Sequence, residues 1–221
     1  MDSSDFTPWI FTGIIVLLTV GLIVLIFAYG NGSSGTAKET TVPALTQEDW
    51  THGPNDAKVS IIEYGDFQCP ACAAYYPLFL ELENYYKDKS VIFAFRNFPL
   101  YQVHKNAEIS AKASEAAGLQ GKYWEMHDKL YKDQISWGDA PQKKAMEQFD
   151  DYAKSLNLDL DKLHKDMESA SVKNKIEKDV KSASDAFVDH TPTFFINLKQ
   201  IKNPTSLDEF KKIIDDALAA S

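Results

Sequence analysis

The 221-residue sequence predicts an α/β domain with a long, mostly helical stretch between its strands, preceded by one N-terminal transmembrane helix. Three observations carry this. Trp9 to Tyr29 is an uncharged apolar run long enough to cross a bilayer. Strand-like runs at Val59 to Phe67 and Ser90 to Phe98 flank Ala73 to Tyr86, whose apolar residues recur at helical intervals. From His104 to about Phe187 the Ala-, Lys- and Glu-rich periodicity is helical, and strand character returns at Thr193 to Asn197.

Residues 1–8 form a tail with Asp2 and Asp5 but no basic residue, and residues 9–29 the membrane span, with Trp9 and Tyr29 at the two interfaces. A cleaved signal peptide is the rival, since Ala28-Tyr29-Gly30 offers small residues to a peptidase. The apolar run exceeds the roughly 7–15 residues of a signal core, however, and no basic segment precedes it. Lys38 lies beyond the helix, so charge bias does not orient the span. Residues 30–45, rich in Gly, Ser and Thr, read as a flexible linker, and residues 46–221 as the folded domain. The whole chain's net charge of −9 argues against a nucleic-acid partner and leaves no polybasic patch for anionic lipid.

Cys69 and Cys72 are the chain's only cysteines, in the run Cys69-Pro70-Ala71-Cys72 between the first strand and the first helix. That placement puts Cys69 at a helix N-terminus, where free N–H groups and the helix dipole favour a thiolate. Pro70 fits the first helical position, where no N–H is needed. One turn further in, Cys72 is expected deeper than an accessible Cys69, an unequal pair suited to thiol–disulfide exchange. A structural disulfide closing so short a loop would remove little chain entropy. A zinc site takes four ligands as a rule, but no second C-x-x-C is present and the five scattered histidines lack the H-x3-5-H spacing, so no metal is expected.

Glu63 alternates with apolar neighbours in the strand before the motif. It is either an edge residue facing water or a buried proton acceptor for Cys72. Trp124, Met126 and His127 read as core packing. Ser206 to Ala219 opens with a Ser-x-x-Glu capping box and presents Leu207, Phe210, Ile213, Ile214, Ala217 and Leu218 on one face, as a helix covering the sheet does.

The run Glu63-Tyr64-Gly65-Asp66-Phe67-Gln68-Cys69-Pro70-Ala71-Cys72 resembles the active-site signature of DsbA-like thiol–disulfide oxidoreductases of the thioredoxin superfamily. So do Phe95 to Leu100, Gly121 to Asp128 and Thr191 to Asn197, in the same order. The nearest likeness is to the membrane-anchored bacterial type. The resemblance implies a thioredoxin-like fold with a helical domain inserted at about 104–187, and a cis Pro192 facing the cysteines. Thr191 would then offer backbone hydrogen bonds to an extended substrate. It further implies a monomer on the outer side of the cell membrane that passes a Cys69–Cys72 disulfide to unfolded or reduced secreted proteins. No bound cofactor is called for, and a quinone-linked membrane partner would reoxidise the pair.

Two departures from the family pattern stand out. His190 replaces the glycine before Thr-Pro, while Ala71 stands where many oxidising members have histidine, so His190 is a candidate for the missing positive charge beside the substrate site. Asn197-Leu198 replaces Asn-Gly, and because leucine disfavours positive φ a different turn is expected there. The same motif also suits a disulfide reductase, or a peptide-binding or chaperone module without turnover.

Overall fold

The computed structural model describes residues 40–221. Strands β1 (Trp50–His52), β2 (Val59–Gly65), β3 (Val91–Asn97), β4 (Thr193–Ile196) and β5 (Lys199–Gln200) form a five-stranded sheet in the order β1-β3-β2-β4-β5. Helix α1 (Pro70–Tyr86) joins the parallel pair β2 and β3, and every other neighbouring pair is antiparallel. Between β3 and β4 stand α2 (Ala107–Gly118), α3 (Tyr123–Lys132), α4 (Gln134–Trp137), α5 (Gln142–Ser155), α6 (Leu160–Met167) and α7 (Ala170–Asp185). Helix α8 (Leu207–Ala219) closes the chain.

The expected membrane span at 9–29 lies outside the described residues. Among the described residues no helix is long and apolar enough to cross a membrane. Within the segment read as linker, Val42 is buried and donates its N–H to Leu198 O at 3.0 Å, and Thr40 O accepts from Gln200 N at 3.0 Å. The fold thus takes up the chain from Thr40.

Alternation along β2 fills two cores. Val59 and Ile61 face α1 and α8, against Phe79, Leu82, Tyr86, Phe210 and Ile214. Ile62 and Tyr64 face the other way, against Ala183, Ala186, Val188 and Phe195. A sheet covered on both sides explains why β2 is apolar at nearly every position. A third cluster joins the sheet to the insertion: Phe67, Cys69, Cys72 and Phe95 pack with Met126, Leu130, Tyr131, Trp137 and Phe149. The cysteine motif therefore lies on the seam between the two halves of the domain. Met126 is fully buried, Trp124 stacks on His52 at 4.3 Å, and the His127 ring meets Phe67, Phe95 and Tyr131 edge-on, so all three residues pack as expected.

Gly65 ends β2 where this seam is tightest. A Cβ there would lie 2.5 and 2.7 Å from ring atoms of Phe95 and 2.9 Å from the Tyr131 hydroxyl. Both rings are buried and held by neighbours, so Gly65→Ala should destabilise the fold by about 1–3 kcal/mol. Urea unfolding of the variant checks this, and unchanged stability would show that the seam yields.

The Asn197-Leu198 turn corrects the sequence expectation. Ile196 pairs with Lys199, leaving a two-residue loop, and both central residues take positive φ, 46° at Asn197 and 68° at Leu198. This is the backbone that Asn-Gly would adopt. The loop is pinned from outside: Asn197 N donates to Ser60 O at 2.9 Å and its Oδ1 accepts from Ser60 N at 3.0 Å. Partly buried Leu198 packs against the core of that face, so tertiary contacts outweigh the local preference of leucine. At α8, Ser206 Oγ accepts from Glu209 N as a capping box requires, but the Glu209 carboxylate reaches back to Thr205 N at 2.7 Å, one residue further than the box.

Candidate active site

Cys69 is the N-cap residue of α1, and Pro70 occupies its first turn. The chain turns there because Cys69 N donates to Asp66 O at 3.0 Å while Cys69 O accepts from Ala73 N at 3.1 Å. No side chain caps this helix, so the first amides are left for the Cys69 sulfur. Across the seam, the Thr191–Pro192 peptide is cis, and the Cys69 thiol points to Thr191 O at 3.5 Å. Asn203 holds the Pro192 carbonyl at 2.6 Å.

The two cysteines are free and electrostatically unequal. The hydrogen bond from the Cys72 side chain does most to pull Cys69 down to about 5, against the opposing effect of burial. The Thr191 side chain and the backbone N–H groups of Cys72 and Ala71 add to it. Burial pushes Cys72 well above the ordinary thiol range, helped by its hydrogen bond to Cys69 and by the Glu63 charge. Cys69 is 7% exposed and Cys72 1%, between exposed Pro70 and Ala71. The deeper position of Cys72 matches the sequence reading. The open access expected for Cys69 is corrected, because Thr191 and the insertion cover its flanks and leave only a narrow window.

Glu63 is a buried residue, not an edge one. β2 is the middle strand, and Glu63 sits in register with Phe95 on one side and Phe194 on the other, 4% exposed. Strand alternation puts it on the α1 face, the face that carries Cys72. Its Oε1 has no protein partner, and burial, then the Cys69 and Glu83 charges, push its carboxyl up to about 8. A group that exchanges its proton near neutrality thus lies beneath the buried thiol.

The structure brings Cys69, Cys72, Glu63, Thr191 and Pro192 together. His190 adjoins them through its backbone, its carbonyl accepting from Thr193 Oγ1 at 2.8 Å. Its ring is exposed and rests on Asp189 Oδ1 at 2.7 Å, which offsets any charge it carries. The forces that lower Cys69 come instead from Cys72, Thr191 and backbone amides.

Two supports were not read from the sequence. Asp66 is fully buried: its carboxylate accepts from Gln68 N at 2.8 Å, Leu100 N at 2.9 Å and His104 Nδ1 at 2.7 Å. The first bond is an Asx turn, which an Asp two residues before the turn's end could have signalled. Gln134 Nε2 donates to Phe67 O at 2.7 Å and Cys69 O at 2.9 Å. It comes from a distant helix, and no local pattern marks it.

Comparison with known proteins agrees with this geometry. The chain is 33% identical over 192 residues to the Na(+)/H(+) antiporter NhaA 3 of Salinispora tropica, a match that takes in 86% of this chain but 28% of that protein. The chain thus spans about a quarter of the length of the antiporters it matches. It is 29% identical over 218 residues to the probable disulfide bond formation protein D of Bacillus cereus, covering 93% of this chain and 95% of that one. Oxidised BdbD of Bacillus subtilis superposes with a TM-score of 0.71 at 26% identity, over 82% of this chain and 98% of that one. DsbA1 of Wolbachia pipientis shares the fold, with a TM-score of 0.71 at 21% identity over 80% of this chain and 94% of that one. The Thioredoxin family pattern matches residues 45–216, nearly the whole described domain, and the chain belongs to that family.

Proposed function

We propose that the chain is a thiol–disulfide oxidoreductase that donates a Cys69–Cys72 disulfide to reduced proteins. The observation that carries this reading is the unequal pair, an acidic Cys69 above a Cys72 held protonated. The name of the Bacillus cereus relative, matched over 95% of its length, supports it. A substrate thiolate attacks Cys69 Sγ, the Cys69–Cys72 bond breaks, and Cys72 leaves with the electron pair and takes a proton, with Glu63 as the nearest acid. A second substrate thiolate then attacks the substrate sulfur of the mixed disulfide and releases Cys69 as a thiolate. Because that thiolate is stabilised, the reduced protein is favoured and the disulfide is a strong oxidant.

Thr191 would pair with an extended substrate chain beside Cys69, with Pro192 shaping the groove. The proposal places the domain outside the cytoplasm, tethered by the 9–29 segment, among secreted proteins that need disulfides. Reoxidation, two electrons per pair, falls to a membrane partner linked to quinone. Equilibrating the full chain in detergent with glutathione buffers tests the direction. A reduction potential of about −120 mV is expected for a donor, whereas about −270 mV would make the protein a reductase. Cys69→Ala should abolish exchange, and full retention of activity by that variant would mark a peptide-binding module instead.

A further inference from the structure

Three buried amide side chains, Gln68, Asn106 and Gln134, tie the turn from β2 into α1 to the insertion. Gln68 donates to Gly138 O at 2.7 Å and accepts from Asn106 N at 2.6 Å. Asn106 Nδ2 lies 3.0 Å from each of the carbonyls of Trp137, Gly138 and Ala140. Of these three amide side chains, Gln134 alone bonds the reactive cysteine, its amide shared between Phe67 O and Cys69 O. It is buried, and it starts a four-residue helix anchored by Trp137, which is fully buried, bonded through Nε1 to Leu130 O at 2.9 Å and edge-on to Phe149.

Glutamine suits this place chemically. Two carbonyl oxygens two residues apart converge on one –NH2 with two hydrogens to give. Carbonyl oxygens are negative ends of dipoles, and leaving them bare near a thiolate disfavours the charge. Tying both to a rigid donor also fixes the peptide planes, so that the Ala71 and Cys72 amides stay aimed at the sulfur.

We propose that Gln134 is a positioning residue that sets the ionisation of Cys69, and through it the oxidising strength of the pair. This rests on the thiol-exchange reading above. The insertion would then tune the thiols as well as shelter them.

The test uses the full chain in detergent with Gln134→Met, which keeps length and volume but has no donor. The midpoint of Cys69 titration, followed by thiolate absorbance and alkylation rate, should rise by about one pH unit. The glutathione equilibrium should shift about tenfold toward the disulfide form, or about 30 mV for a two-electron couple. Gln134→Glu should raise the midpoint too, because its ionised carboxylate faces two carbonyl oxygens. Asn106→Ala, which removes three bonds from the same seam without touching Cys69, should lower stability and leave the midpoint in place.

Unchanged midpoints in both Gln134 variants would overturn the proposal, as would a shift in Asn106→Ala equal to that of Gln134→Met. In the unmutated protein the Gln134 side-chain amide resonances should titrate together with Cys69, and flat resonances would overturn it without any variant. A wild-type protein that exchanges no thiols would instead overturn the redox reading itself, and the role of Gln134 with it.

Discussion

Glu63→Gln should make the reduced protein more stable and its chemistry slower. The carboxyl is buried in the middle strand with one oxygen unpartnered, and burial, Cys69 and Glu83 push it from 4.5 up to about 8. A raised acid works against folding as pH rises. Below its unfolded value both states are protonated and nothing is lost. Between that value and about 8 the unfolded chain ionises while the folded one holds its proton, so stability falls with pH; above about 8 the loss is complete. At about 1.36 kcal/mol per pH unit the penalty is on the order of 5 kcal/mol.

Glutamine does not ionise. The variant should match the wild type near the bottom of this window and exceed it by roughly 2–4 kcal/mol at its top, less whatever its buried amide leaves unpaired. The same change removes the group proposed to exchange a proton with Cys72, so closing and opening of the pair should slow by about 10²–10³-fold. Urea unfolding at the two ends of the window, with stopped-flow reduction at neutral pH, reads both effects. A variant less stable than wild type at high pH, or one that exchanges at the wild-type rate, contradicts this assignment.

Such a residue shows where sequence stops being informative. Alternation alone fits Glu63 to an edge strand or a central one, and only the order β1-β3-β2-β4-β5 decides between them. The cysteine motif was legible because strand and helix periodicities meet at it within a few residues, and those are local properties of the chain. Thr191 and Pro192 were legible only through family likeness, since the partner they face is 122 residues away. The Gln134 bonds, and those of Asp66 to Leu100 and His104, are polar contacts fixed by tertiary register, which hydrophobic periodicity does not encode. Leu198 shows the opposite failure, a local rule applied correctly and then overridden by the pairing around the turn.

Arg96→Met should cost about 3–5 kcal/mol, the effect of breaking a buried, hydrogen-bonded ion pair from one side. Arg96, the chain's single arginine, sits on β3 opposite Tyr64 and is nearly closed to solvent. Its guanidinium donates to Asp49 Oδ1 at 2.8 Å and Oδ2 at 3.2 Å, to the carbonyls of Pro43 and Ala44 at 3.1 and 3.2 Å, and to Tyr64 Oη at 3.0 Å. Methionine fills the volume but leaves the Asp49 carboxylate with Thr46 as its donor and no cation, and strips the Pro43 and Ala44 carbonyls of the guanidinium. Lysine keeps the charge and loses the planar fork, so Arg96→Lys should fall between the two.

The pH dependence separates this from simple packing loss. Burial pushes the Asp49 carboxyl up, but the Arg96 hydrogen bond and charge, with the Thr46 amide, bring it below its usual value. A depressed acid contributes stability above its unfolded value, and that stability is lost as pH falls through the folded one. The wild type should therefore weaken on acidification below about pH 4, while Arg96→Met, whose Asp49 no longer has a cation to favour its charge, should weaken less. Asp49→Asn added to Arg96→Met should recover part of the loss by removing the stranded charge. Equal losses in the single and double variants would mean that the guanidinium acts through its bonds to Pro43, Ala44 and Tyr64. Its role would then be to pin residues 43–49 against the sheet, and the ion pair would matter little.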